Sequence, residues 1–348
     1  MTPERARLLD QMWQMQDGLR QPPAGSFDVY VGIPFCKTRC AYCSFPSGEI
    51  GNGKLVAPYV AALEREIALC AQMLREKELR ARAVYIGGGT PTSIPRDALC
   101  RVLRAVGEAF PTAVELTVEA GRPDTIDAPT LAMLRSMGAT RISVNPQTFC
   151  DETLRRIGRA HTSQQTQQAF LLAREAGFDD INMDLIAALP GETLEDFRRS
   201  LEKTAALAPE SVTVHALAVK RSSRLHEALH VQGGGHGLTP AGEAEKMTGL
   251  ARALLCAQGY RPYYLYRQKY MAGNLENVGY AKPGRACLYN IGNMEETASV
   301  LALGAGAISK WLFDRARRIE RAPNVKNIEA YIDRVDEMVE RKRALIFS

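Results

Sequence analysis

The sequence predicts an α/β protein: a partial six-stranded parallel (β/α)6 barrel followed by a smaller C-terminal α+β domain. Two observations carry this. Six short apolar, β-branched segments alternate with longer stretches of helical periodicity, and that rhythm breaks near residue 220. Repeated βα units join parallel strands by right-handed crossovers, and barrels of this kind place their chemistry at the C-terminal ends of the strands.

The six strand segments are FDVYVGI (27–33), AVYIGG (83–88), AVELTVEA (113–120), TRISVNP (140–146), DINMDLI (180–186) and SVTVHALAV (211–219). Helical patterns fall between them over 56–79, 95–109, 127–137, 163–176 and 192–207. Residues 1–26 form a polar, amphipathic N-terminal extension, 27–220 the barrel, and 221–348 a domain that covers the substrate side. The last part contains QGGGHG (232–237), helices near 240–258 and 324–342, and the tyrosine-rich strand YRPYYLYRQKY (260–270).

Bulk properties set the class. A chain of 348 residues, 46% hydrophobic and 24% charged, buries a large core. Its net charge of +5 is spread without a lysine or arginine block, which suits an anionic small molecule and gives no reason to expect nucleic acid. No apolar run reaches the roughly 18 residues of a membrane span, and the N-terminus lacks the apolar core of a signal peptide, so a cytoplasmic protein with no membrane span is expected.

Eight cysteines are present, and five of them (Cys70, Cys100, Cys150, Cys256, Cys287) are scattered in a way unlike a disulfide framework. The other three, Cys36, Cys40 and Cys43, are packed into FCKTRCAYCSF, just past the first strand. No fourth cysteine or histidine stands nearby, so a four-ligand zinc site would need a distant donor. Three thiolates on an iron–sulfur cluster, by contrast, leave one iron open to a ligand.

The spacing Cys-x3-Cys-x2-Cys on the loop after the first strand, with Tyr42 before the last cysteine, resembles the radical S-adenosylmethionine (SAM) superfamily. The strings YVGIPFC, GGGTPT, TVEAGRPD and DLIAALPGET narrow the likeness to the oxygen-independent coproporphyrinogen III oxidase family, and residues 268–310 look most like its HemZ branch. The resemblance covers about residues 27 to 342. It implies a [4Fe–4S] cluster on Cys36, Cys40 and Cys43, and SAM held by Tyr30, Tyr42, Gly88, Gly89, Thr90, Glu119, Gln147, Arg159 and Asp184. Ala218 and Ile308 match SAM-contacting positions by spacing.

Elementary chemistry is consistent with those assignments. Three glycines at a strand end let a ligand approach bare backbone, although a tight turn alone would also use them. Carboxylates and amides at strand ends can accept from ribose hydroxyls and an ammonium group, and a guanidinium can bind a carboxylate. Asp184 interrupts an apolar strand and so needs a partner or a ligand.

In the family reaction a one-electron donor such as flavodoxin or ferredoxin reduces the cluster, and SAM is cleaved to methionine and a 5′-deoxyadenosyl radical. The radical abstracts a hydrogen from a propionate β-carbon of coproporphyrinogen III, and loss of carbon dioxide and an electron leaves a vinyl group. Two rounds give protoporphyrinogen IX in haem biosynthesis. The tetra-anionic tetrapyrrole would be met by cations, with Arg122, Lys220, Arg221, Arg267 and Lys269 as candidates. Two departures bear on this reading. Phe45 stands where the HemN branch carries a further cysteine, as it does in the haem-chaperone HemW branch, and the N-terminal part is shorter than in HemZ-like proteins. A haem chaperone, or a radical SAM enzyme acting on haem itself, are the alternatives.

Overall fold

The computed structural model describes residues 3–231, 239–268, 271, 275–314 and 316–347. The QGGGHG tract and Lys269 lie outside them. All strands of the main sheet lie in one eleven-stranded mixed assembly. In chain order they are β1 (Ser26–Ile33), β2 (Arg80–Gly88), β3 (Glu115–Glu119), β4 (Arg141–Ser143), β5 (Ile181–Ala187), β6 (Ser211–Ala216), β7 (Arg261–Tyr266), β8 (Asn277–Ala281), β9 (Val300–Leu303), β10 (Ile308–Phe313) and β11 (Arg318–Pro323). Their spatial order is β11-β10-β9-β1-β2-β3-β4-β5-β6-β8-β7.

From β1 to β6 every neighbouring pair is parallel, and each strand is followed by a helix, as the alternation predicts. These strands carry apolar side chains on both faces, because helices cover the outside and the inner face forms the floor of the site. Burial of Val29, Val31, Ile33, Val84, Ile86, Val118 and Ile142 is essentially complete, and they pack on helices Val56–Arg75, Arg96–Ala109 and Ala128–Ser136. Local signals set the helix ends. Thr162 and Thr193 each close a capping box, with Gln165 and Asp196 three residues on, at the starts of Ser163–Glu175 and Leu194–Leu207.

The residues after 220 add to both edges of this same sheet. β9 pairs parallel to β1, with Asp28 opposite Val300 and Val31 opposite Leu303, and carries the antiparallel pair β10 and β11 outward. At the other edge β8 runs antiparallel to β6, and β7 antiparallel to β8. The N-terminal helix Pro3–Met15 packs on β7, and the Gln16 amide that follows it donates to the Tyr263 carbonyl at 2.8 Å. The helical pattern expected over 324–342 divides into Ile328–Asp333 and Val335–Ile346.

A buried polar network anchors the last helix. Lys342 and Glu66, both fully buried, pair at 2.6 Å, and Lys342 also donates to Asn324 Oδ1. Glu66 in turn accepts from Tyr331 and from the Gly304 N–H, each at 2.7 Å. Tyr59 closes the network, donating to Gly32 O at 2.6 Å and accepting from Ala305 N–H at 3.0 Å. A buried charge pair persists only when its remaining donors and acceptors are satisfied, and this one is satisfied by the turn that follows β9.

Candidate active site

The cysteine loop leaves β1 and is closed at its base by a short parallel pairing of Phe35–Cys36 with Gly48–Glu49. It docks through Ala41 N–H on Ile157 O (2.9 Å) and Leu225 N–H on Ala41 O (2.8 Å). Arg122 fastens it further, donating to Thr38 O (2.9 Å), Thr38 Oγ1 (2.8 Å) and Asp124 Oδ1 (3.0 Å). Arg122 is thus a buried clamp on the cysteine loop, its guanidinium engaged with Thr38 and Asp124, and it also lines the cavity beside that loop.

One cavity, at the C-terminal ends of the parallel strands, is lined by Cys36, Cys40 and Cys43 together with Tyr30, Tyr42, Gly88, Gly89, Thr90, Glu119, Gln147, Arg159, Asp184 and Ala218. Ile308 is not among them. It is half exposed and borders a smaller, largely apolar cavity that shares Tyr30, Phe45, Gly88, Tyr289 and Asn293 with the larger one. Of the expected substrate cations, Lys220 and Arg122 border the main cavity, Arg267 lies outside it paired with Glu276, and Arg221 is not part of its wall.

The glycine turn is needed by contact as well as conformation. Gly88 has φ +106°, and a Cβ on Gly89 would stand 2.4 Å from Phe35 O. The N–H groups of Gly89 and Thr90 are spent on Ile33 O (2.8 Å) and Phe35 O (2.7 Å). A ligand here therefore meets bare backbone and carbonyl oxygens, acceptors that suit an ammonium group, and not the free N–H donors of a phosphate-binding loop.

Around the turn the polar groups are buried and pre-arranged. Tyr85 donates to Glu119 at 2.6 Å, yet burial still pushes the Glu119 carboxyl up to about 7. Gln147 sits at φ +66°, held by its N–H on Asp184 O (2.9 Å) and its carbonyl accepting from Ile186 N–H (2.9 Å); side-chain-bearing residues adopt this region at a cost, and such strain gathers at functional sites. Arg159 donates to Asn145 O (2.8 Å), Gly121 O (3.1 Å) and Tyr42 OH (3.4 Å), while its Nε and the neighbouring Asn145 Oδ1 are buried with no protein partner. Burial acts to raise the Asp184 pKa, but His215, Asn182 and Thr213 outweigh it and hold the carboxyl below its ordinary range.

Sequence reasoning missed a second set of wall residues: Tyr85, Asn145, Asn182, Thr213, His215, Tyr264, Tyr266, Gln268 and Tyr289. The signal was present. Side chains two apart on a strand share a face, and Asn182/Asp184, Thr213/His215 and Tyr264/Tyr266/Gln268 are polar or amphipathic residues at that interval. Register then aligns them, with Asp184 opposite Thr213, Thr213 opposite Gly279 and Gly279 opposite Tyr264. Gly279 is required there because the Tyr264 ring lies across it.

The donor set fits an iron–sulfur cluster better than a single ion. Among the described residues no three His, Cys, Asp or Glu side chains converge on one metal position. A cubane spreads three thiolates over three irons, so its ligands stand apart while facing one volume. Burial pushes the Cys36 and Cys43 thiols above their ordinary value, so the thiolates call for the positive charge of a metal. Orphaned Arg159 Nε and Asn145 Oδ1 and the carbonyl-lined turn fit an amino-acid-bearing ligand beside them.

A family model described as the radical SAM superfamily matches residues 30–204. Among curated proteins, the oxygen-independent coproporphyrinogen-III oxidase-like protein HemZ of Bacillus subtilis (strain 168) is 41% identical over 318 residues, covering 90% of this chain and 63% of that protein. This chain therefore spans less than two thirds of that relative. The Heme chaperone HemW of the same organism is 30% identical over 282 residues, covering 80% and 69%. The solved structure of coproporphyrinogen III oxidase (HemN) from Escherichia coli, a radical SAM enzyme, superposes with a TM-score of 0.73 at 24% identity, over 93% of this chain and 72% of that one, and shares its fold. Three clustered cysteines at the mouth of a partial parallel barrel, with this family match, place the chain in the radical SAM superfamily, with a [4Fe–4S] cluster and SAM as its cofactors.

Proposed function

We propose that this protein is an oxidoreductase that converts propionate side chains of coproporphyrinogen III to vinyl groups. The observation that carries the reading is that one cavity joins the three cysteines to an aromatic wall of Tyr264, Tyr266 and Tyr289, so a flat apolar ligand with polar edges would lie beside the cofactor end. The name of the HemZ relative, an oxidase-like protein, points the same way.

Cys36, Cys40 and Cys43 would hold the cluster, and Gly88–Thr90, Glu119, Gln147, Arg159 and Asp184 would hold SAM. When bound, these groups supply a one-electron cleavage that yields a carbon radical able to take a hydrogen atom. The chain's own work is positional. Arg159, fixed by two backbone carbonyls, presents its remaining guanidinium edge to a carboxylate, and Glu119 with the turn carbonyls receives an ammonium group. Lys220 and Arg39, the latter with an unpartnered buried Nε, are two of the cavity-lining cations and would meet substrate carboxylates. Loss of a β-hydrogen atom, carbon dioxide and one electron turns each propionate into a vinyl, with an electron acceptor taking up the last.

A second reading, haem delivery of the kind named for HemW, is favoured by Phe45, which is 60% exposed where the two cavities meet and offers an apolar rest for a macrocycle edge. Incubating the reconstituted protein with SAM, a reductant and either coproporphyrinogen III or haem separates the two. Products lighter by one carbon dioxide and two hydrogens per propionate, with 5′-deoxyadenosine formed in step, support the oxidase. Tight haem binding with coproporphyrinogen left unchanged overturns it.

A further inference from the structure

A hydrogen-bonded chain runs from Gln268, just past β7, to His215, which faces Asp184. The Gln268 amide donates to the Tyr266 hydroxyl at 3.3 Å, and that hydroxyl lies 3.3 Å from His215 Nδ1. His215 Nε2, the other ring nitrogen, stands 3.7 Å from Asp184 Oδ2. All four residues line the main cavity, and His215, Tyr266 and Gln268 lie beyond the segment matched by the superfamily model.

The direction of the chain follows from donor counting. Asn277 Oδ1 is taken by Ala216 N–H at 2.8 Å, so its amide nitrogen is the atom left to face Tyr266, its cross-strand partner. Tyr266 oxygen therefore accepts from amide nitrogens, and its single proton goes to the acceptor that stands beside it among the described residues, His215 Nδ1. Burial, followed by the Asp184 charge, pushes the Tyr266 phenol up to about 12, which keeps that proton in place. His215 is left with its proton on Nε2, pointing to Asp184.

Asp184 Oδ1 already accepts from Asn182 at 2.7 Å. The Oδ2–Nε2 gap is longer than a hydrogen bond, so a hydroxyl placed between them could accept from the imidazole and donate to the carboxylate. Two adjacent hydroxyls meeting one ionised acceptor and one oriented donor are the chemistry of a vicinal diol.

We infer that His215, oriented by Tyr266, is a positioning residue that completes a diol-binding pair with Asp184, so that the C-terminal strand β7 helps to seat the ribose of the cofactor. This rests on the cofactor assignment and is independent of which tetrapyrrole chemistry follows.

The test measures binding, not turnover. S-adenosylhomocysteine and its 2′,3′-dideoxy counterpart are titrated into the cluster-reconstituted protein by calorimetry, with iron content as a control. His215→Phe weakens S-adenosylhomocysteine about tenfold or more, the usual worth of a hydrogen bond to a charged group, and leaves the dideoxy ligand unchanged. His215→Gln, whose amide nitrogen can stand near the lost Nε2, restores part of the preference, and Tyr266→Phe reduces it. Equal losses on both ligands, or no loss on either, overturn the inference. A protein that passes this test yet leaves coproporphyrinogen unchanged refutes the oxidase reading and leaves this one intact.

Discussion

Tyr85 and Glu119 form a 2.6 Å hydrogen bond between adjacent strands at the floor of the cavity, and the carboxyl they hold is pushed by burial from 4.5 up to about 7. A folded-state pKa above the unfolded value means that the native protein keeps a proton the unfolded chain has lost. The stabilisation is complete below about 4.5 and disappears as pH rises through about 7. Comparing urea midpoints of the wild type and Glu119→Gln without SAM, the wild type should lose about 1–2 kcal/mol relative to the variant across that window, less than a sealed site would give because the carboxyl borders the cavity. An equal pH dependence in both proteins would remove Glu119 as the titrating group.

Binding of an ammonium group reverses the preference, since a cation beside Glu119 favours its ionised form. SAM affinity should therefore rise between pH 6 and 8 by several-fold, with proton release seen when titrations are run in buffers of different ionisation enthalpy. Glu119→Gln should bind weakly with a flat profile.

Arg159 has a dual burden that its place in the sequence does not reveal. Alanine there strands Asn145 O and Gly121 O in a buried site and should lower stability by about 2–4 kcal/mol, which would obscure any effect on binding. Lysine is the informative replacement. Arg159→Lys keeps a charge but loses the planar fork, so SAM affinity should fall about tenfold while iron content and melting temperature change little. Loss of iron would show instead that Arg159 holds the cysteine loop.

Alanine at Cys36, Cys40 or Cys43 should abolish the broad visible absorption of the reconstituted cluster, whereas Cys100→Ser, a partly buried cysteine on a distant helix, should leave it and the iron content intact. Retention of full iron in any of the first three would refute the ligand assignment.

Lys342→Met leaves Glu66 as an uncompensated buried charge and should cost about 3–5 kcal/mol by denaturant unfolding, while the double replacement Glu66→Gln with Lys342→Met should recover much of that loss. A double variant as unstable as the single one would show that the network is held by packing and not by charge.

The parallel core was legible because each of its strands is a short apolar run followed by a helical stretch, and three of these helices begin at a capping Asp127, Thr162 or Thr193. Cys36, Cys40, Cys43 and the Gly88–Gly89 turn were legible because their spacing and their lack of side-chain bulk answer to a local need. His215 was not, since its meaning comes from β7, some fifty residues later, brought alongside by β8. The outer strands were equally hidden: nothing local to VLAL at 300–303 says that its partner is Asp28–Val31. Ile308, placed by spacing alone, lines the neighbouring cavity, which shares Tyr30 and Gly88 with the larger one.

The pairing of β1 with β9 also sets an order of events during synthesis. The strand that launches the cysteine loop is interior to the sheet, and one of its two neighbours is made about 270 residues later. Until that neighbour leaves the ribosome, the backbone of Asp28–Val31 is open on one side and the turn after β9 cannot brace Gly32. The sheet that carries the cysteine loop is therefore complete only in molecules whose translation has reached past residue 303. A nascent chain stalled before Val300 should expose its three thiols to alkylation, and one stalled well beyond the last helix should accept the cluster.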